Sequence, residues 1–127
     1  MNGWERLLDR EARRTSRTGR PFTVLRVAPP GRPDAEEMER LLAVVEGELR
    51  KSDIVCELSG EVVAMLIDTA EHHAPAVLER LGAAFRKAQL IFELRFAWAS
   101  VGPMHEPCWE RAWRMAGALL VANTAAA

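Results

Sequence analysis

The sequence predicts an α+β fold: a ferredoxin-like βαββαβ antiparallel sheet core with an added helix at each end. Three observations carry this. Helical periodicity and short β-branched runs alternate in the order α-β-α-β-β-α-β-α. The two middle apolar runs, IVCEL and VVAMLI, are split only by a turn at Ser59-Gly60, which makes them a hairpin. The other strands are separated by helix-length segments, so two crossovers and one hairpin build a split βαβ sheet of four strands, with room for a fifth. The helices of that inner unit are expected on one face.

Residues 1–20 read as a helix, because Trp4, Leu7, Leu8 and Ala12 recur at one apolar face. Gly19 and Pro21 end it. FTVLRVA, residues 22–28, is nearly all apolar and rich in β-branched residues, as expected of a buried strand. The breakers PPGRP follow, then Asp34 as an N-cap with Glu37 placed to close a capping box. The second helix shows Met38, Leu41, Leu42, Val45 and Leu49 on one face and is expected to end in Arg50 and Lys51, which complement its dipole. Strands follow at 54–58 and 62–67. Pro75 belongs in the first turn of a third helix carrying Leu78, Leu81, Phe85 and Ala88. Residues 90–102 form the last strand region, with a short edge strand before the main one, and a final helix runs from about 106 to 122 with Trp109, Trp113, Ala116 and Leu120 inward.

The 127 residues are read as a single domain, residues 1–127, large enough to bury a core without disulfides or metals. With 49% apolar residues, 28% charged residues and a net charge of −1, nothing favours nucleic acid or an anionic membrane as partner. No apolar run spans a bilayer and MNGWERLLDR is no signal peptide, so a cytoplasmic protein is expected. Cys56 and Cys108 make no disulfide framework; Cys56 is read as a small buried residue. His72, His73, His105 and Cys108 match no common zinc spacing, so no metal and no cofactor is expected. The tryptophans Trp4, Trp98, Trp109 and Trp113 are read as core, Trp109 and Trp113 marking a partner surface where left uncovered. Arg6, Arg10, Arg13, Arg17 and Arg20 line one face of the first helix. That stripe is read first as a solvated face with an Asp9–Arg13 pair and second as a dock for an acidic partner.

Three stretches in the right order, REARRTSRTGRPFTVLRV, LRKSDIVCELSGEVVAMLIDT and ASVGP, resemble the lead-in helix and first strand, the signature hairpin, and the late strand of GGDEF domains, the bacterial diguanylate cyclase family. The resemblance implies a nucleotidyl cyclase-like fold, and it also shows departures. The signature hairpin is Ser59, Gly60, Glu61, Val62 and Val63 here, in place of Gly-Gly-Asp/Glu-Glu-Phe. Glu61 keeps a carboxylate where the family holds a divalent metal, Val62 replaces the second acid, and Ala28 stands where the family's other metal-holding aspartate would be. PPGRPDAEE replaces, and is shorter than, the segment that holds the nucleotide, and the final helix lacks a basic residue near VANTAAA. Phosphoryl transfer leans on the metal to neutralise developing charge, and one carboxylate is a poor Mg²⁺ site. The expectation is therefore a degenerate GGDEF-like regulatory module that is not an enzyme, has no catalytic residues, and acts through a protein partner or as a homodimer; residual cyclase activity is the remote alternative.

Arg50 and Asp53 stand ahead of Ser59 at the spacing of the Arg-x-x-Asp inhibitory site with which GGDEF domains bind cyclic di-GMP. A guanidinium forks onto guanine O6/N7 or phosphate and a carboxylate accepts from guanine N–H groups, so a cyclic di-GMP receptor is the alternative function. The plain reading of the same residues is a helix end and a turn that caps backbone amides.

Overall fold

A computed structural model describes residues 2–29, 31–89, 94–103 and 109–126. Four α-helices and a four-stranded antiparallel sheet follow one another as α1 (Gly3–Thr18), β1 (Phe22–Ala28), α2 (Ala35–Glu48), β2 (Ile54–Leu58), β3 (Glu61–Ile67), a 3-10 turn (Glu71–His73), α3 (Ala74–Lys87), β4 (Arg95–Val101) and α4 (Trp109–Ala126). Strand order in the sheet is β2-β3-β1-β4, the split βαβ arrangement expected from the connections. The register pairs Phe22 with Ile67 on one side of β1 and with Val101 on the other. The edge strand expected ahead of β4 falls on residues 90–93, and the expected first turn of α4 within residues 104–108; both lie outside the described residues.

Burial explains the composition of the central strands. Phe22, Val24 and Ala28 of β1 join Val63, Met65 and Ile67 of β3 under Trp4 and Leu8 of α1 and Trp109 and Ala116 of α4. Leu25 and Val27 of β1 join Val62, Ala64 and Leu66 of β3 under Met38, Leu41 and Val45 of α2 and Leu81 and Phe85 of α3. Alternate residues therefore serve two cores, and the alternation that marks a one-sided strand disappears. Helices on one face describe the inner βαββαβ unit alone; the added end helices α1 and α4 cover the other face.

Local signals act largely as expected. Gly19 ends α1 at φ 73, Asp34 accepts the Glu37 backbone N–H, and Pro75 lies at the start of α3. The full capping box, however, belongs to α1, where Asn2 and Glu5 satisfy each other's backbone N–H, whereas α2 shows the Asp34 half. α2 stops at Glu48, with Leu49 as its C-cap in an extended conformation and no basic residue in its last turn. The expectation that Arg50 and Lys51 close α2 is thus corrected: Arg50 has left the helix and its side chain is engaged elsewhere. Trp4 and Trp109 are buried, while Trp98 and Trp113 pack against the cores half-covered. Among the described residues no helix is long and apolar enough to cross a membrane.

Because Leu8 is 0% exposed at the centre of the first core, truncation there tests whether α1 is integral. Leu8→Ala should cost about 2–5 kcal/mol in urea denaturation. A loss below about 0.5 kcal/mol would show that α1 merely rests on the sheet.

Candidate functional site

β1 carries one charged residue, Arg26, and its position organises the hairpin end of the sheet. The hairpin turns at Ser59 (φ 50) and Gly60 (φ 80), the paired positive φ angles of a type I′ turn. Gly60 takes such a φ without strain, and Ser59 is the less usual occupant. Tight two-residue closure places Glu61 opposite Leu58 at the start of β3. From there Glu61 meets Arg26 in a bidentate pair, Nε to Oε1 at 2.8 Å and Nη2 to Oε2 at 2.8 Å. Both side chains are 18% exposed.

The rest of the guanidinium is enclosed by α4. Its Cζ lies 4.0 Å from the centroid of the Trp113 ring, and Nη1 donates to the Trp113 carbonyl at 3.4 Å. A Cβ at Gly117 would stand 2.7 Å from Nη1, so α4 passes this close because residue 117 has no side chain. Trp113 in turn tilts against Trp4 of α1 with ring centroids 5.8 Å apart. One guanidinium thus ties the hairpin to α4, and Trp113 carries the contact on to α1.

A cleft of about 730 Å³ opens between the hairpin and the β1–α2 connection. Ala28, Arg32, Asp34, Glu57, Glu61 and Arg95 are among its walls. Arg95, opposite Ala28 in the β1–β4 register, donates to the Pro29 carbonyl at 3.2 Å. Among the described residues no three His, Cys, Asp or Glu side chains converge as a metal site. Of the positions matched to metal-holding acids, Ala28 supplies no donor, Val62 is 1% exposed within the α2/α3 core, and both oxygens of Glu61 are engaged by Arg26. This donor set does not fit a nucleotide-bound Mg²⁺, which rests on one or two available carboxylates.

The Arg-x-x-Asp segment forms a closed turn beyond α2. Asp53 Oδ2 accepts the Arg50 backbone N–H at 2.9 Å, and Oδ1 accepts the Ile67 N–H at 2.9 Å. The Arg50 guanidinium donates through Nη2 to the Ile67 carbonyl and, at 3.0 Å, to Thr69 Oγ1. The Asp53 side chain is 3% exposed and that of Arg50 56%. Arg50 and Asp53 do come together, Nη2 to Oδ1 at 3.6 Å, but a receptor site that presents both to a ligand is not what they form: Arg50 is open, and the Asp53 side chain is a buried fastener between the α2–β2 turn and the end of β3. His72 and His73 stack with centroids 3.9 Å apart on the exposed 3-10 turn, and His105 and Cys108 lie outside the described residues. Burial pushes the half-buried Cys56 thiol above its ordinary pKa.

No protein-family model matches the sequence, and no curated protein matches it either. Solved structures do. A DGC protein from Thermotoga maritima superimposes with a TM-score of 0.76 at 18% identity, covering 91% of this chain and 90% of that one. The diguanylate cyclase SiaD from Pseudomonas aeruginosa, in complex with its activator SiaC, superimposes with a TM-score of 0.77 at 16% identity, covering 95% of this chain and 53% of that one. A microbial GGDEF domain studied for its interaction with cyclic di-GMP gives 0.73 at 16% identity, covering 98% and 86%.

The fold is that of a GGDEF domain. At these identities the likeness is one of fold. In this GGDEF-like chain the hairpin's second and third β3 residues are core: Val62 is 1% and Val63 0% exposed, on opposite faces of the sheet.

Sequence reasoning found the hairpin and Glu61 but not Arg26, Trp113 and Gly117 as its partners. The available signal was the lone arginine in FTVLRVA, since a charge inside a doubly buried strand must be paired. Arg26→Met should cost about 1–3 kcal/mol, because it leaves Glu61 without its hydrogen-bonded counter-charge. Adding Glu61→Gln should recover part of that loss in a double-mutant cycle of chemical denaturation. Strictly additive costs would show that the pair contributes no coupling.

Proposed function

We propose that this chain is a non-catalytic, GGDEF-like regulatory module that acts by contact with a protein. The observation that carries the reading is the Arg26–Glu61 pair. Joining nucleoside triphosphates requires a metal held against the phosphates while charge builds on the transferred group. The hairpin carboxylate here is turned to a guanidinium at 2.8 Å through both oxygens, and the facing strand end is Ala28. Freeing Glu61 for a metal would strand Arg26 against Trp113 without its counter-ion, at a cost that metal binding would have to exceed. A role through protein contact agrees with the fold likeness to SiaD, solved with its activator SiaC. The purified chain, given GTP and Mg²⁺, should form no cyclic di-GMP in a chromatographic turnover assay. Product that disappears in Glu61→Ala would overturn the reading.

A second reading, a cyclic di-GMP receptor, is favoured by one observation: the Arg50 side chain is 56% exposed while its Nη2 is anchored to the Ile67 carbonyl and Thr69. An anchored, open guanidinium is prepared to fork onto guanine or phosphate. Asp53 is spent on two backbone amides, so recognition would fall to Arg50 and to groups brought by the ligand's own geometry. Calorimetry with cyclic di-GMP should then give binding that Arg50→Ala weakens about tenfold or more, the loss of one charge-assisted hydrogen bond. No heat at hundreds of micromolar ligand, or equal binding by Arg50→Ala, would exclude this site.

A further inference from the structure

Charge is divided between the two faces of the sheet. α1, on one face, carries the outward stripe Arg6, Arg10, Arg13 and Arg17, all exposed. The acids of α1 are already engaged: Glu5 closes the capping box, Asp9 pairs with Arg13 at 3.1 Å and accepts from Trp109 Nε1, and Glu11 meets Arg14 at 3.4 Å. Among the described residues Arg6, Arg10 and Arg17 have no ionic partner.

α2, on the opposite face, mirrors this with the sign reversed. It holds five glutamates against the single Arg40. Glu36, Glu39 and Glu46 are exposed at i, i+3 and i+10, one outward stripe. Two cations beside them are engaged: Arg40 donates to the Ala88 carbonyl at 3.1 Å, and Arg80 pairs with Glu48 at 3.6 Å. At about 1.5 Å of rise per residue, Arg6 to Arg17 spans about 16 Å and Glu36 to Glu46 about 15 Å.

We infer that the arginine stripe of α1 docks the glutamate stripe of α2 on a second copy of this chain. The stripes match in length and oppose in charge, yet the sheet stands between them, so neither can neutralise the other within one molecule. A second copy brings them together. The contact joins surfaces on opposite faces of the two copies, so it repeats head to tail, into a ring or an open array, and does not close as a two-fold dimer. This deepens the reading of protein contact given above by naming the partner. The two fail separately, because GTP turnover would overturn that reading while leaving this contact standing.

The test is sedimentation of the full chain as a function of salt. At about 10 mM salt, where exposed charges act over about 30 Å, the mean mass should rise with concentration; at about 1 M salt, where they act over about 3 Å, it should fall to the monomer. The triple variant Arg6→Glu, Arg10→Glu, Arg17→Glu and, separately, Glu36→Lys, Glu39→Lys, Glu46→Lys should each weaken self-association by about tenfold or more. Both alter exposed side chains, and unchanged circular dichroism melting confirms that each folds. Mixing the two variants should restore association in one-to-one stoichiometry, because the first is then acidic on both stripes and the second basic on both, so every contact between unlike copies opposes in charge. A wild type that stays monomeric at low salt overturns the inference. So does association that survives high salt, or an α2 variant that associates like wild type.

Discussion

β1 and β3 must be covered on both faces, and most of the architecture follows from that requirement. Their side chains alternate between two cores while remaining apolar in both, so a sheet carrying only α2 and α3 would leave Phe22, Val24, Val63 and Met65 in water. At roughly 1.5–3 kcal/mol for each large side chain, that exposure is more than a chain of this size can carry. α1 and α4 are therefore as much part of the sheet's stability as the crossover helices. The local devices that define them, the Asn2–Glu5 capping box and the Gly19 cap, set the edges of that cover.

Arg26 is the exception that this burial tolerates. A guanidinium on the α1/α4 face of a central strand is stable because each of its surfaces meets a partner: a carboxylate along one edge, an indole over one plane, a carbonyl at one corner. The arrangement also determines what the hairpin can do. Glu61 sits where a carboxylate could face the cleft, but the geometry turns both of its oxygens toward the strand beneath. The chemistry of the turn is thus decided by a residue 35 positions earlier in the chain.

Much of the fold was legible in the sequence because its signals are local. The apolar spacing of Trp4, Leu8 and Ala12, the breakers after Ala28, and the Ser59-Gly60 turn each specify an element within a few residues. The second layer of helices was harder to read, because a strand buried on both faces loses the alternation that would assign sides to its residues. The exit of α2 before Arg50 was hidden for a related reason. A basic residue near a helix end suits the dipole, but Asp53 binding the amides of Arg50 and Ile67 favours the turn instead. At the candidate site the positions without carboxylates, Ala28 and Val62, were visible as letters. The Arg26–Glu61–Trp113 contact was not, since it joins three elements and depends on packing across the sheet.

Gly117 has a mechanical meaning. Helix positions are rotated by about 100° per residue. Turning α4 by one position would carry the bare site away from Arg26 and bring a methyl group of Ala116 or Ala118 onto a guanidinium that Glu61 holds in place. The contact falls on the far end of an arginine side chain, so α4 is held in its seating to the extent that Glu61 and Trp113 hold that guanidinium in place, and a shift of α4 is felt at the Ser59-Gly60 turn through Arg26.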